Sequence, residues 1–305
     1  MFINVFSQVV ILLVLISVGF TLTKAKILTE FGVKSMTEMV LLLVTPCVII
    51  KSFTRQFSVD TLKNLIISAT IALFAHITFI ILSRILIKSS NISSQKVLQF
   101  GIIFSNCGYM SIPLQQAILG DEGVFYGSAY IAMFNLFIWS YGLLLMSGDK
   151  KTLSPKKLIL NPGLIGVAIG LIIFLFSIPL PKIIFEPVSY IASLNTPLPM
   201  IIIGYHLANS NILAGLKDIR VYYACLLKLI IFPLIAFGIM YACGIRGLML
   251  VSSVISCCAP TAAITTMFSS KYNCDTSLSV NLVSISTILS LITIPIIVSL
   301  SQYVA

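Results

Sequence analysis

Residues 104–123, FSNCGYMSIPLQQAILGDEG, form an apolar segment that is interrupted by Asn106, Gly108 and Pro113. Proline lacks a backbone N–H donor and clashes with the preceding helical turn, so this segment cannot form a regular helix. Irregular backbone at membrane depth persists only where it is buried in protein or lines a wet cavity. The stretch therefore predicts a membrane helix that is broken near its middle.

A second interrupted segment, SCCAPTAAITTMF at 256–268, is centred on Pro260. Two breaks in equivalent positions of a membrane protein indicate a shared binding site at mid-depth. The alternative is that each proline only kinks a packed helix.

The composition identifies lipid as the solvent of this chain. Of its 305 residues, 58% are hydrophobic and 9% are charged, whereas about a quarter of a soluble domain is charged. A soluble globular domain and a disordered chain are both excluded. The net charge of +10 must be spread over short connections, which argues against nucleic acid as a partner.

The chain is predicted to be an all-α polytopic membrane protein with ten transmembrane helices. A spanning helix needs about 20 apolar residues, and ten stretches of roughly this kind follow one another. They are 5–23, 33–54, 62–87, 96–118, 123–147, 163–178, 186–208, 219–243, 246–268 and 276–301.

The connections predict the orientation of the chain. Most Lys and Arg residues follow odd-numbered spans, and short loops rich in these residues stay in the cytoplasm. We therefore expect a multi-pass protein of the cell membrane, the inner membrane in a bacterium, with both termini outside. The basic residues on the predicted cytoplasmic side are Lys24, Lys26, Lys34, Arg84, Lys88, Lys96, Lys150, Lys151, Lys156, Lys157, Lys217, Arg220 and Lys271.

The longest polar connection divides the chain into two related halves. Val44-Thr45-Pro46 resembles Asn195-Thr196-Pro197, and Asp121 corresponds to Asp275. Because each half has five spans, the second half enters the membrane from the other face, as in the inverted repeats of secondary transporters. The predicted units are a first repeat at 1–147, a cytoplasmic linker at 148–160 and a second repeat at 161–305.

The two broken helices predict a site for an anion. If they cross, two half-helix N-termini point at one place, each with about half a positive charge. Their free N–H groups bind a carboxylate without any arginine. The amide of Asn106 adds a donor and an acceptor, or alternatively satisfies the broken backbone.

These segments resemble the auxin efflux carrier family of membrane transporters. The resemblance covers nearly the whole chain. It rests on NCGYMSIPL followed by LGDEG, AMFNLFIWSYGLLL, NPGLIGVAIGLII, TPLPMIIIGYHLA, LKLIIFPL and APTAAITTMFSSKYNCD. It implies two inverted five-helix repeats with crossed, broken helices 4 and 9, and a homodimer. Cys107, Ser111 and Ala259 depart from the residues common in the family.

The resemblance implies that Asn106 contacts the substrate and that Asn135 faces the same cavity. For Asn135, the alternative is a hydrogen bond between helices. Gln115 and Gln116 either line the site or cap the half-helix, whereas Asn281 is expected in helix packing. The predicted substrate-binding residues are Asn106, Cys107, Gly108, Pro113, Gln115, Asn135, Ala259, Pro260 and Thr261.

Lys228 lies nine residues into the eighth predicted span, near the bilayer midplane. An unpaired ammonium there is costly, and the sequence places no carboxylate nearby. We expect Lys228 to compensate the negative ends of the half-helices; substrate counter-ion and snorkelling are the alternatives. His76 and His206 could relay a proton or be satisfied core residues.

The sequence thus favours a secondary transporter, an efflux carrier of small organic anions such as carboxylates or auxin-like acids, working by alternating access. A sodium-coupled symporter of the bile-acid-transporter type is the alternative, and coupling to H⁺ or Na⁺ stays open. An enzyme is disfavoured because the chain lacks paired mid-membrane carboxylates, HExxH, GxSxG and a metal cluster. A receptor or scaffold is disfavoured because its loops are short. We expect no cofactor.

Overall fold

The computed structural model describes residues 2–153, 156, 160–209 and 217–305. The described chain is helical, and its only β-type pairing is the isolated bridge between Ser105 and Thr261. Seven of the described helices are long and apolar enough to cross a membrane. The predicted all-α polytopic class is thereby confirmed. Positions 154, 155 and 157–159 of the predicted linker, 148–160, lie outside the described residues.

Thirteen helical segments, α1 to α13, are used below. The range 107–147 is divided between α5 and α6 at Gly120, where φ is +66° and ψ is −160°. In chain order the segments are α1 Phe2–Lys24, α2 Glu30–Phe53, α3 Val59–Leu86, α4 Ile92–Ile103, α5 107–119, α6 121–147, α7 Pro162–Leu175, α8 Lys182–Ser193, α9 Pro197–Asn209, α10 Ile219–Ala242, α11 Gly247–Cys258, α12 Ile264–Lys271 and α13 Thr276–Val304.

Short polar residues set where many of the helices begin. Their side-chain oxygens accept a backbone N–H of the first turn, which satisfies a donor that has no partner within the helix. The capping residues are Thr29, Ser58, Asn91, Asn161, Asp218 and Asp275 for α2, α3, α4, α7, α10 and α13.

Three prolines inside apolar helices follow directly on a widened π-turn. Pro46, Pro113 and Pro233 come two residues after the π-turns Val40–Val44, Cys107–Ser111 and Leu227–Ile231. A proline ring clashes with the carbonyl four residues earlier. In a π-turn the hydrogen bonds run to the fifth residue back, as from Phe232 N–H to Leu227 O. The widened turn makes room for the ring, so the helix continues through the proline.

The helices pack as two groups. The first group is α1, α2, α7, α8 and α9, and the second is α3 to α6 with α10 to α13. Within the first group α1 and α9 touch through their backbones, because Gly19 lies against Ile201 and Gly204 lies against Ile16. Small residues at such places let membrane helices approach closely. The two groups meet where α1 contacts α13 and the range 112–137, where α9 contacts α5, and where α6 contacts α2 and α7.

The connections between helices gather at two ends of the molecule. At one end, called the linker end, Lys24 Nζ donates to Ala208 O at 2.8 Å and Lys96 Nζ donates to Met146 O at 3.2 Å. At the opposite end, Phe57 N–H donates to Ser177 Oγ at 2.9 Å. α3 runs from one end to the other, and its 28 residues extend about 42 Å at 1.5 Å per residue.

We expect Gly204→Ala to destabilise the protein, by about 1–3 kcal/mol for an overpacked site. The added methyl group would overlap the backbone of α1, and backbone moves aside less readily than a side chain. The melting temperature in detergent should fall. Gly238→Ala is the matched control, because nothing lies within 4 Å of a Cβ placed there. Equal melting of both variants would contradict the close α1–α9 packing.

Candidate functional site

Two helix interruptions meet inside the second group of helices. α4 ends at Ile103 and the helix resumes at Cys107. α11 ends at Cys258 and the helix resumes at Ile264. The two irregular segments pair in antiparallel fashion: Asn106 N–H donates to Pro260 O at 2.7 Å, and Ala262 N–H donates to Phe104 O at 3.0 Å. The starts and ends of four helical segments are therefore brought to one place, called the break.

Thr261 satisfies more of the exposed backbone at the break. Its Oγ1 donates to Gly101 O at 3.0 Å, and its N–H donates to Ser286 Oγ at 3.2 Å. A side chain on Gly101 would collide with Leu282 and Thr261, so glycine is needed for this approach. Each bond replaces one that water would otherwise supply, and lipid supplies none. Thr261 therefore has a structural role at the break.

Asn106 combines burial with an unused side-chain amide. It is 6% exposed, and the side-chain amide makes no hydrogen bond to any residue that the structure describes. Close by, Gly108 borders open space, since no atom lies within 4 Å of a Cβ placed there. A donor and an acceptor are thus available beside free volume at the break.

The break is polarised by the four helix ends. The first turns of α5 and α12 have N–H groups without partners inside the helix, and these ends are partially positive. The last turns of α4 and α11 present carbonyl groups and are partially negative. The N-terminal ends can hold an anion, and the C-terminal ends can hold a cation.

Lys228 lies against the negative side of the break. Its side chain is 0% exposed, and Nζ is 2.5 Å from Ser105 Oγ. Ser105 Oγ in turn donates to Cys257 O, in the last turn of α11, at 3.3 Å. Nζ also lies 6.0 Å from the centroid of the Phe79 ring. Among the described residues, no carboxylate forms an ion pair with Lys228.

His76 and Tyr130 form a buried pair next to the break. The two rings are 4.9 Å apart, and the His76 ring stacks on Phe137 at 5.1 Å. His76 Nδ1 bonds to Ala72 O at 2.7 Å. Neither His76 Nε2 nor the Tyr130 hydroxyl has a hydrogen-bond partner in the described part of the chain. Only one of the two ring nitrogens of His76 therefore forms a hydrogen bond with the described residues.

Gln115 and Pro113 lie in α5, just past the break. Gln115 is fully buried, and its Nε2 donates to Ser252 O, Ser252 Oγ and Ser256 Oγ at 2.9–3.2 Å. These bonds join α5 to α11. The donors of this amide are thus engaged between helices, while Gln116 on the next position is half-buried.

The other predicted site residues divide into two sets. Cys107, Ala259 and Pro260 lie at the break itself and are buried. Asn135 lies between α6 and the start of α7: its Nδ2 donates to Ile131 O at 2.9 Å, and the side chain lies against Gly163. His206 is exposed on the last turn of α9 at the linker end, so the structure does not bring it to the break.

Ser105 and Tyr130 belong to the site although the sequence did not single them out. Ser105 directly precedes Asn106 in FSNCG, so its position next to a predicted site residue could have identified it. Tyr130 lies in GSAYIAMF and has no such signal, because an aromatic residue in an apolar helix is usually core. Within the described residues, no group of three His, Cys, Asp or Glu side chains could hold a metal ion.

Comparison with known proteins identifies the family. A family model described as membrane transport protein matches residues 4–156 and 151–298. A protein of Methanothermobacter thermautotrophicus named as an uncharacterized transporter is 25% identical over 294 residues, covering 95% of this chain and 96% of that protein. An uncharacterized transporter of Methanocaldococcus jannaschii is 23% identical over 300 residues, covering 94% and 95%.

A plant protein is also similar over part of the chain. Auxin efflux carrier component 1 of Arabidopsis thaliana is 25% identical over 122 residues, which is 39% of this chain and 20% of the plant protein. The family model and these relatives describe membrane transporters and not enzymes. The chain therefore belongs to the auxin efflux carrier family of membrane transport proteins.

Proposed function

We propose that this transporter is a secondary active carrier of small organic anions, such as carboxylates or auxin-like acids, and that it works as an efflux carrier. The observation that carries this proposal is the unbonded amide of Asn106 beside open space and the starts of two helices. An amide donor and helix N-termini are the groups that bind a carboxylate in a site with no arginine.

Alternating access around the break is the proposed mechanism. It requires ten spans in two inverted five-helix repeats, with the pairs α4–α5 and α11–α12 as the crossed, broken fourth and ninth helices. Their interruptions lie side by side and exchange backbone hydrogen bonds, which supports this arrangement. Irregular backbone at the interface between repeats is where transporters of this kind bind substrate. The excess of Lys and Arg at the linker end supports a cytoplasmic location for that end, with both termini outside.

Lys228 is proposed to compensate the C-terminal ends of α4 and α11. The chain of contacts from Nζ through Ser105 Oγ to Cys257 O supports this role. The ammonium then balances about half a negative charge at each helix end. It leaves the positive helix starts on the other side of the break free for the substrate.

The proposal also includes the ion that drives transport and the oligomeric state of the protein. Proton coupling is the version that the structure supports better, because His76 Nε2 and the Tyr130 hydroxyl are buried beside the break and lack partners among the described residues. A homodimer is proposed from the family resemblance alone.

The competing function is a sodium-coupled symporter of the bile-acid-transporter type, in which the break would bind Na⁺ through carbonyl oxygens.

Asn106→Ala should weaken binding of organic acids by about 10–100-fold, the range for one hydrogen bond to a charged group. The measurement is a binding screen of indole-3-acetate, benzoate and succinate on purified protein. Asn281→Ala is the matched control, because Asn281 is also buried but lies in α13. If the acids bind equally to the Asn106 variant and the wild type, the site is wrongly placed.

The losses of stability caused by Ser105→Ala and by Lys228→Met should depend on each other. Ser105→Ala alone leaves a buried ammonium without its hydroxyl partner, which costs about 1.5–3 kcal/mol. In the double variant no charge remains, so the combined loss should be smaller than the sum of the single losses. Chemical or thermal unfolding in detergent measures this cycle. Ser68→Ala, whose hydroxyl bonds only to Asn64 O in its own helix, is the control. Additive losses would reject the compensating role of Lys228.

Transport into sealed vesicles separates the two candidate functions. For the proposed carrier, uptake of indole-3-acetate should be the same in sodium and in potassium buffer and should respond to a pH gradient. Strong dependence on sodium would favour the symporter instead.

A further inference from the structure

A cluster of aromatic rings joins the two helix groups at the end opposite the linker. Phe125 of α6 lies 4.6 Å from Phe53 of α2 and 5.3 Å from Phe174 of α7, measured between ring centroids. All three side chains are 0% exposed. Phe57 extends the cluster, with its ring 5.5 Å from Phe174. These rings fill the space between α6 and its neighbours α2 and α7.

Charged side chains reinforce the same contact. The Arg55 guanidinium carbon lies 4.5 Å from the centroid of the Phe125 ring, and Arg55 Nε donates to Ser52 O at 3.0 Å. Lys51 Nζ of α2 lies 3.5 Å from Asp121 Oδ1, at the start of α6. A cation over an aromatic face and an ion pair thus both bridge the two helix groups. Lys51 and Asp121 are 25% and 46% exposed, so solvent weakens their attraction and the pair can open.

The linker end of the same helix pair is different. There, a cavity of about 330 Å³ lies between α6 and the start of α7, lined by Trp139, Lys156, Leu160, Asn161 and Pro162. Asn135 lies near it, against Gly163. At the linker end, α6 thus contacts α7 through Asn135 and Gly163, and an open groove lies beside that contact.

We propose that Phe53, Arg55, Phe125 and Phe174, together with the Lys51–Asp121 ion pair, form a latch that closes the solute path at the end opposite the linker. The latch is shut in this structure and must open once in each transport cycle. This inference rests on the proposed function, because a solute path between the helix groups is part of alternating access.

The position of Gly120 supports movement at this place. Gly120 separates α5 from α6 directly before Asp121, and its φ of +66° is one that glycine adopts freely. The latch residues of α6 thus follow a glycine break between two helical segments, and those of α2 and α7 lie on helix ends. The ion pair of the latch is exposed to solvent and therefore weak, so its two charges can separate.

Thiol labelling tests whether the latch is shut, without knowledge of the substrate. Ala129, one turn deeper in α6 than Phe125 and 5% exposed, is changed to cysteine in a Cys243→Ser, Cys274→Ser background, since these are the two cysteines that are not buried. A membrane-impermeant maleimide then reports access. We expect slow labelling with the latch intact. Asp121→Lys, which repels Lys51, should speed labelling about tenfold, the effect of losing roughly one such contact.

Exchange of the two charges is the decisive control. Lys51→Asp combined with Asp121→Lys restores the attraction and should return labelling to the slow rate. Lys63→Gln, at the same end but outside the latch, should leave the rate unchanged. Fast labelling of the Ala129→Cys protein with all latch residues present would overturn the proposal, as would an unchanged rate in a folded Asp121→Lys variant.

Locking the latch tests whether it must open. Lys51→Cys and Asp121→Cys are introduced together and joined by a short bifunctional thiol reagent. The locked protein should bind indole-3-acetate in detergent but not transport it in proteoliposomes, and each single-cysteine variant should keep transport after the same treatment. Undiminished transport by the locked protein would reject the latch. If no acid binds to any variant, the proposed substrate fails, while the labelling result still decides whether the latch is shut.

Discussion

The structure depends on the pairing of two short stretches of irregular backbone that are buried among apolar helices. Lipid offers no hydrogen bonds, so every N–H and C=O group freed by a broken helix must find a partner in the protein. The bonds from Asn106 N–H to Pro260 O and from Ala262 N–H to Phe104 O meet this requirement reciprocally. Neither interruption would be stable alone, because each supplies the partners of the other.

The residues around the break follow from that pairing. Thr261 bonds to Gly101 O, and Ser105 links Lys228 to the end of α11. These side chains hydrogen-bond to backbone groups or neutralise them, and they are therefore not available to a substrate. Asn106 is different, because its backbone is paired whereas its side-chain amide has no partner among the described residues. A group that the fold leaves unused is the group that we assign to the substrate.

In the proposed mechanism, this core moves relative to the rest of the protein. α1 and α9 are held together by glycine contacts, which fix the first helix group as a unit. The second group contains both interruptions and every residue assigned to the break. Between the groups, α1 packs against α13, aromatic rings and charged groups meet at the end opposite the linker, and an open groove lies beside the contact of Asn135 with Gly163 at the other end.

The membrane class, the main helical segments and the two interruptions follow from the amino-acid sequence alone. Low charge, apolar runs and prolines act locally, through solvation and through the lost N–H group of proline. The sequence also pointed to Asn106 and to the need of Lys228 for a partner. Which polar side chains bond to the protein itself depends on contacts that form only in the folded chain. Gln115 was expected to line the site or cap a helix, and its amide donors are bonded to Ser252 and Ser256. His206, a candidate for relaying a proton, lies on the exposed end of α9. Ser105, Tyr130 and the contact of Phe125 with Arg55 depend on residues far apart in the chain, and only their approach in the folded protein makes them neighbours.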